Sequence, residues 1–176
     1  MKKRVLIIHG WESNSREHWF LEEKEKLEKL GYEVVVPNMP NTFHPQKEEW
    51  VKVIEDFNPD ENSILIGHSL GGVAILRYLE TANNKVGKCI FIATPIRKLG
   101  PGYEEIENFL DGGFNWKKIR GNSEELIVFN QTEDPAVPLE HGKDLANFTN
   151  AELVIVSGND HFDKINFDLL EKYILK

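Results

Sequence analysis

The chain has 176 residues, 40% hydrophobic and 28% charged, with a formal net charge of -8. That length and composition fit one ordinary globular domain and exclude a low-complexity or fibrous chain. The acidic balance speaks against a protein that tracks phosphate backbones, which needs a basic stripe, so no nucleic-acid partner is expected.

At the amino end Lys2, Lys3 and Arg4 precede Val5-Leu6-Ile7-Ile8. The apolar run is shorter than the roughly 7–15 residues of an export signal, and it reads as a strand. From there short apolar runs alternate with amphipathic stretches, the pattern of a parallel sheet covered by helices. Strands are predicted at Arg4–Ile8, Glu33–Val36, Ser63–Gly67, Lys88–Ala93, Leu126–Gln131 and Glu152–Ser157. Their unbroken apolar character suits strands buried on both faces. Helices are predicted at Glu17–Leu30, stopped by Gly31, and at Gln46–Phe57, where Trp50, Ile54 and Phe57 share a stripe. Two more are expected over Gly71–Ala82 and Asn166–Leu175, and His141 falls in a helical stretch before the last strand. The stretch from Pro95 to Ser123, rich in Gly and aromatics, is a candidate cap. No run approaches the 18 or more apolar residues of a membrane span. Cys89 has no partner for an internal disulfide, which fits a reducing compartment, and the cytoplasm is the expected location.

Gly67-His68-Ser69-Leu70-Gly71 is a G-x-S-x-G motif, set between the run Ile64-Leu65-Ile66 and the helix opening Val73-Ala74-Ile75-Leu76. A sharp strand-to-helix turn of this kind lifts a serine hydroxyl clear of the sheet, as in the nucleophile elbow of α/β-hydrolases. The new helix also aims free N–H groups and its positive end at a developing oxyanion. A serine so placed needs a base, and in this fold the chain order is Ser, acid, His. His161 follows the last strand in Gly158-Asn159-Asp160-His161; Asp134 follows the fifth in Thr132-Glu133-Asp134-Pro135, with Glu133 a distant second. His68, beside the nucleophile, is a poor candidate base, and His141 reads as a surface residue. For the oxyanion the candidate donors are the backbone N–H groups of Leu70 and Trp11, the latter in His9-Gly10-Trp11 after the first strand. His9 reads as a structural hydrogen-bonding residue. His18, Trp19, Phe114, Trp116 and Phe162 are candidate pocket residues, and Cys89 reads as core. No metal-ligand spacing and no phosphate loop is visible, so no metal and no cofactor are expected.

The chain resembles the small serine hydrolases related to retinoblastoma-binding protein 9 and their bacterial relatives. The likeness runs over nearly the whole length, through His18-Trp19, Asn38-Met39-Pro40, Trp50, Gly113-Phe114, Trp116, Lys118-Ile119, Asp134-Pro135 and His161-Phe162. The resemblance implies a single-domain minimal α/β-hydrolase fold, an α/β architecture of about six parallel strands with helices on both faces. It also implies a triad of Ser69, Asp134 and His161, and a broad carboxylesterase-like activity on small acyl substrates. Thioester or peptide cleavage by the same triad, and a non-catalytic binding module, are the alternatives. His9-Gly10-Trp11-Glu12-Ser13 departs from the glycine-rich loop of the vertebrate protein, and no L-x-C-x-E motif is present. Retinoblastoma-protein binding is therefore not expected, nor is a membrane partner.

Overall fold

The computed structural model describes residues 3–176; Met1 and Lys2, the latter part of the basic stretch ahead of the first strand, lie outside the described residues. Six strands, β1 (Arg4–Ile8), β2 (Glu33–Val35), β3 (Ser63–His68), β4 (Val86–Ile92), β5 (Ser123–Gln131) and β6 (Glu152–Val156), form one sheet in the order β2-β1-β3-β4-β5-β6. Every pairing is parallel. The α-helices are α1 (Phe20–Lys29), α2 (Lys47–Phe57), α3 (Leu70–Thr81), α4 (Glu107–Leu110), α5 (Trp116–Gly121), α6 (Leu139–Thr149) and α7 (Phe167–Leu175). None among the described residues is long and apolar enough to cross a membrane.

Side chains of a strand alternate between faces, and the register sorts them into two layers. Leu6, Leu65, Cys89 and Leu126 stand abreast across four strands and meet α2, α3 and α6 through Trp50, Ile75, Leu76 and Leu145. Ile7, Ile66, Ile90 and Ile127 form the row behind them and meet α1 and α7 through Phe20, Leu27, Leu170 and Ile174. Each fully buried aliphatic side chain contributes roughly 1.5–3 kcal/mol. The two-sided burial explains why the strands read as continuous apolar runs.

Three departures from expectation have local causes. The first helix begins at Phe20 instead of Glu17, because His18 takes a left-handed φ of 52° that a right-handed helix cannot include. Strand β5 begins three residues early, at Ser123, where the pairing of Val86 with Ser123 extends the ladder. His141 is buried, against expectation: its Nδ1 accepts the Ile96 N–H at 3.1 Å, and burial lowers its pKa to about 4, so it is a neutral acceptor.

On the α1 face Glu23 is fully buried, and neither carboxyl oxygen has a hydrogen-bond partner. Burial, and then the charge of Glu171 on α7, raise its pKa from 4.5 to about 7.

Candidate active site

All six strands point their carboxyl ends to one edge, where ligands bind in sheets of this kind. Ser69 sits there, between β3 and α3, with φ 52° and ψ -119°. A non-glycine residue in that region costs of order 1–3 kcal/mol, and the crowding around it shows what enforces the turn. A Cβ on Gly67 would lie 2.5 Å from the Gly72 backbone, and one on Gly71 only 2.3 Å from the Ile8 carbonyl oxygen. The Ser69 N–H donates to the Ile92 carbonyl at 2.8 Å, which fastens the turn to β4.

The loops after β5 and β6 bring Asp134 and His161 together. Nδ1–H of His161 donates to the Asp134 carboxylate, at 2.9 Å from Oδ1 and 3.0 Å from Oδ2. That assignment leaves Nε2 as the free lone pair. The Asp134 side chain is 0% exposed, and its Oδ1 also accepts the N–H groups of Ala136 and Val137 at 2.9 and 2.8 Å. Burial pushes its carboxyl upward, but the hydrogen bond and charge of His161, with the two backbone donors, outweigh this and leave the pKa below its ordinary value. The two loops are laced by Thr132 N–H to Val156 and Glu133 N–H to Gly158.

Among the described residues no hydrogen bond joins Ser69 to His161, whose ring bonds Asp134 through Nδ1, and the Ser69 hydroxyl bonds no other side chain. The chain neighbour of Ser69 does approach His161: the rings of His68 and His161 stand 4.9 Å apart. Catalytic hydrogen bonds of this sort are often long in a free enzyme and tighten around substrate.

The other side of Ser69 faces the loop after β1, where a Cβ on Gly10 would come 3.2 Å from the Ser69 Cβ. His9 is buried and holds this loop: Nδ1–H donates to the Gly10 carbonyl at 2.9 Å, and Nε2 accepts the Met39 N–H at 3.0 Å. Burial lowers the His9 pKa, consistent with a neutral ring that both donates and accepts. Because the peptide is trans and planar, turning the Gly10 carbonyl toward His9 turns the Trp11 N–H the opposite way. Neither that N–H nor the one of Leu70 has an acceptor among the described residues.

The five candidate pocket residues divide. Trp19 and Phe162, 3% and 2% exposed, are core; the Trp19 indole N–H donates to the Phe162 carbonyl at 3.0 Å. His18 lies beside them at the surface, its Nδ1 3.2 Å from an Asp163 oxygen. Phe114 and Trp116 stand away from this edge. Arg77, two turns along α3 from Ser69, gathers the carbonyls of Phe109, Asp111 and Gly113 and stacks 4.0 Å over the Phe114 ring. Trp116 stacks on Phe148 in the last turn of α6. That arginine draws the second half of the 95–123 stretch down the flank of α3, while its first half reaches the edge. There Tyr103 lies 5.9 Å from Trp11, whose indole N–H reaches the Phe43 carbonyl at 3.4 Å. Sequence reasoning missed Phe43, an isolated aromatic in a polar loop, and Gln131; the signal for Gln131 is a polar residue closing an apolar strand. No three His, Cys, Asp or Glu side chains gather as a metal site would require among the described residues.

Known proteins resemble this chain over nearly its whole length. Residues 5–168 match the family described as serine hydrolase. YdeN of Bacillus subtilis (strain 168) is 32% identical over 188 aligned residues, covering 100% of this chain and 98% of YdeN. The serine hydrolase RBBP9 of Rattus norvegicus is 28% identical, covering 96% of this chain and 87% of its own. The crystal structure of the B. subtilis ydeN gene product superposes with a TM-score of 0.91 over 99% of this chain and 100% of that one. Mouse alpha/beta hydrolase domain-containing protein 10, at 17% identity and TM-score 0.74 over 99% of this chain and 88% of its own, shares the fold. The six-stranded parallel sheet with helices on both faces is thus the α/β-hydrolase fold, and the chain belongs to the serine hydrolase family.

Proposed function

We propose that this hydrolase cleaves small acyl esters, with Ser69 as nucleophile, His161 as base and Asp134 as the acid that orients it. The observation that carries the reading is the Asp134–His161 hydrogen bond, with the His161 ring 4.9 Å from that of His68, the residue before a serine in a strained strand-to-helix turn. A carboxylate bonded to Nδ1–H fixes the tautomer in which Nε2 is a free base and stabilises the imidazolium that follows. In the first step the Ser69 oxygen bonds to the acyl carbon as Nε2 takes its proton. The carbonyl electrons collect on an oxyanion held by the Leu70 and Trp11 N–H groups. Collapse expels the alkoxide, which leaves as the alcohol with the proton from His161. Water then enters, gives a proton to Nε2 and releases the carboxylic acid from the acyl-enzyme. Support for the two donors comes from their lack of any other acceptor and from the inward turn of the Gly10 carbonyl. Trp11 and Tyr103 offer an apolar wall for the acyl or alcohol group.

The test is labelling of the purified protein with a fluorophosphonate probe, followed by turnover of a panel of short and long acyl esters, thioesters and aminoacyl amides. The wild type is expected to label at Ser69 and to prefer esters, while Ser69→Ala does neither. An unlabelled wild type, or equal labelling of Ser69→Ala, overturns the proposal.

A further inference from the structure

Three side chains from well-separated parts of the chain seize three consecutive residues of the loop that carries His161. Gln131, at the end of β5, donates from Nε2 to Asp160 Oδ1 at 2.6 Å and accepts the Asp160 N–H on Oε1 at 3.1 Å. His68, at the end of β3, donates from Nε2–H to the His161 carbonyl at 2.8 Å. Trp19, just before α1, donates to the Phe162 carbonyl. Between these anchors His161 and Phe162 both lie in the left-handed region, with φ of 54° and 55°. Backbone so strained persists only where its surroundings over-determine it. The direction of the His161 ring follows from that backbone.

His68 is the central anchor, and it differs from an ordinary core residue. Its ring is buried among His18, Trp19 and Phe20, at 5.8, 6.4 and 5.9 Å between centroids. Its Nδ1 has no hydrogen-bond partner. An apolar ring would fill the same space without leaving a buried nitrogen unpaired, which costs stability. What the imidazole adds is the single donor to residue 161. It also stands next to Ser69 on the same strand end, so the bond spans from the residue beside the proposed nucleophile to the proposed base.

Resting on the catalytic reading above, we infer that His68 is a positioning residue, whose Nε2–H sets the distance and angle between Ser69 and His161 by holding the residue 161 carbonyl. Burial drives the His68 pKa down to about 3, so the ring stays neutral, keeps its lone pair on Nδ1 and places no charge beside His161 over the ordinary pH range. The clamp is then constant across that range.

The test uses the full chain with His68→Phe and His68→Gln, beside wild type and Ser69→Ala. For each, the second-order rate of fluorophosphonate labelling is measured from pH 5 to 9, with cooperative thermal unfolding followed by circular dichroism. Gln keeps a donor near the position of Nε2; Phe keeps the ring and its volume without a donor. The expected result is a plateau rate about 10²-fold below wild type for His68→Phe, the size of a small misplacement of a catalytic group, with a displaced pH midpoint. His68→Gln recovers to within about tenfold with the wild-type midpoint. A space-filling role gives the reverse order, and that order, or a His68→Phe rate and pH profile equal to wild type, overturns the inference. If His68→Phe does not fold, His68→Met takes its place: the same loss is expected, and a wild-type rate and pH profile in that variant overturns the inference in the same way. Failure of the catalytic reading is separate: there the wild type does not label, or Ser69→Ala labels equally.

Discussion

Replacing Glu23 by Gln isolates a titration that the fold imposes on itself. The carboxyl is fully buried against α7 with no hydrogen-bond partner, and its pKa rises from 4.5 to about 7 on folding. The folded state therefore binds the proton more tightly than the unfolded one. Stability is fully present below the unfolded pKa of 4.5 and falls as pH climbs to about 7, beyond which this group contributes no further change. At about 1.4 kcal/mol per unit, the interval corresponds to a loss of about 3 kcal/mol. A glutamine has nearly the same shape and no charge to lose, so its own burial cost is independent of pH. The expected outcome is that Glu23→Gln gains about 3 kcal/mol relative to wild type between about pH 4.5 and about pH 8. For a chain of this size that is roughly 6–12 °C in melting temperature. Urea unfolding of both proteins at the two pH values, read by circular dichroism, gives the double difference, in which every other carboxyl cancels. A wild-type-to-variant gap that is equal at both pH values would refute the reasoning.

Two further substitutions probe the site. Asp134→Asn replaces the acceptor of His161 Nδ1–H by an amide that can donate to Nδ1, which moves the ring proton to Nε2 and removes the lone pair proposed to take the Ser69 proton. Labelling by a fluorophosphonate should slow by about 10⁴, the cost of the same change in other triads, while the fold survives. A rate within about tenfold of wild type would show that Asp134 does not set the tautomer. Ser69→Gly removes the Cβ from a residue at φ 52° and should stabilise the protein by about 1 kcal/mol while abolishing labelling. Chemical denaturation measures the first effect, and a loss of stability would mean that the turn is not strained.

Strand positions and helix stripes were legible because burial on both faces writes itself as apolar runs, and because Trp50, Ile54 and Phe57 repeat at helical spacing; the order of the strands in the sheet was not. Positions 69, 134 and 161 were legible for the same reason: each follows directly on a strand whose end could be read. What lies between side chains was not. Nothing in the pattern says that Arg77 collects three carbonyls and so carries Phe114 and Trp116 away from the edge. Nor does periodicity reveal that His141 is a buried acceptor, since a histidine on a helix looks the same facing out or in. His9 and His68 read as non-catalytic neighbours. Their bonds to Gly10 and to the His161 carbonyl depend on which loop each strand end meets, and only the assembled sheet determines that.

The uniform direction of the strands has a practical corollary at the opposite rim. Glu61, Asn62 and Glu124 lie at the amino ends of the strands, and β3 alone, with six residues at about 3.3 Å each, places Asn62 about 20 Å from Ser69. A fluorophore, affinity handle or surface tether attached there would leave the reactive rim facing outward and unencumbered, so immobilised protein should turn over substrate as freely as protein in solution.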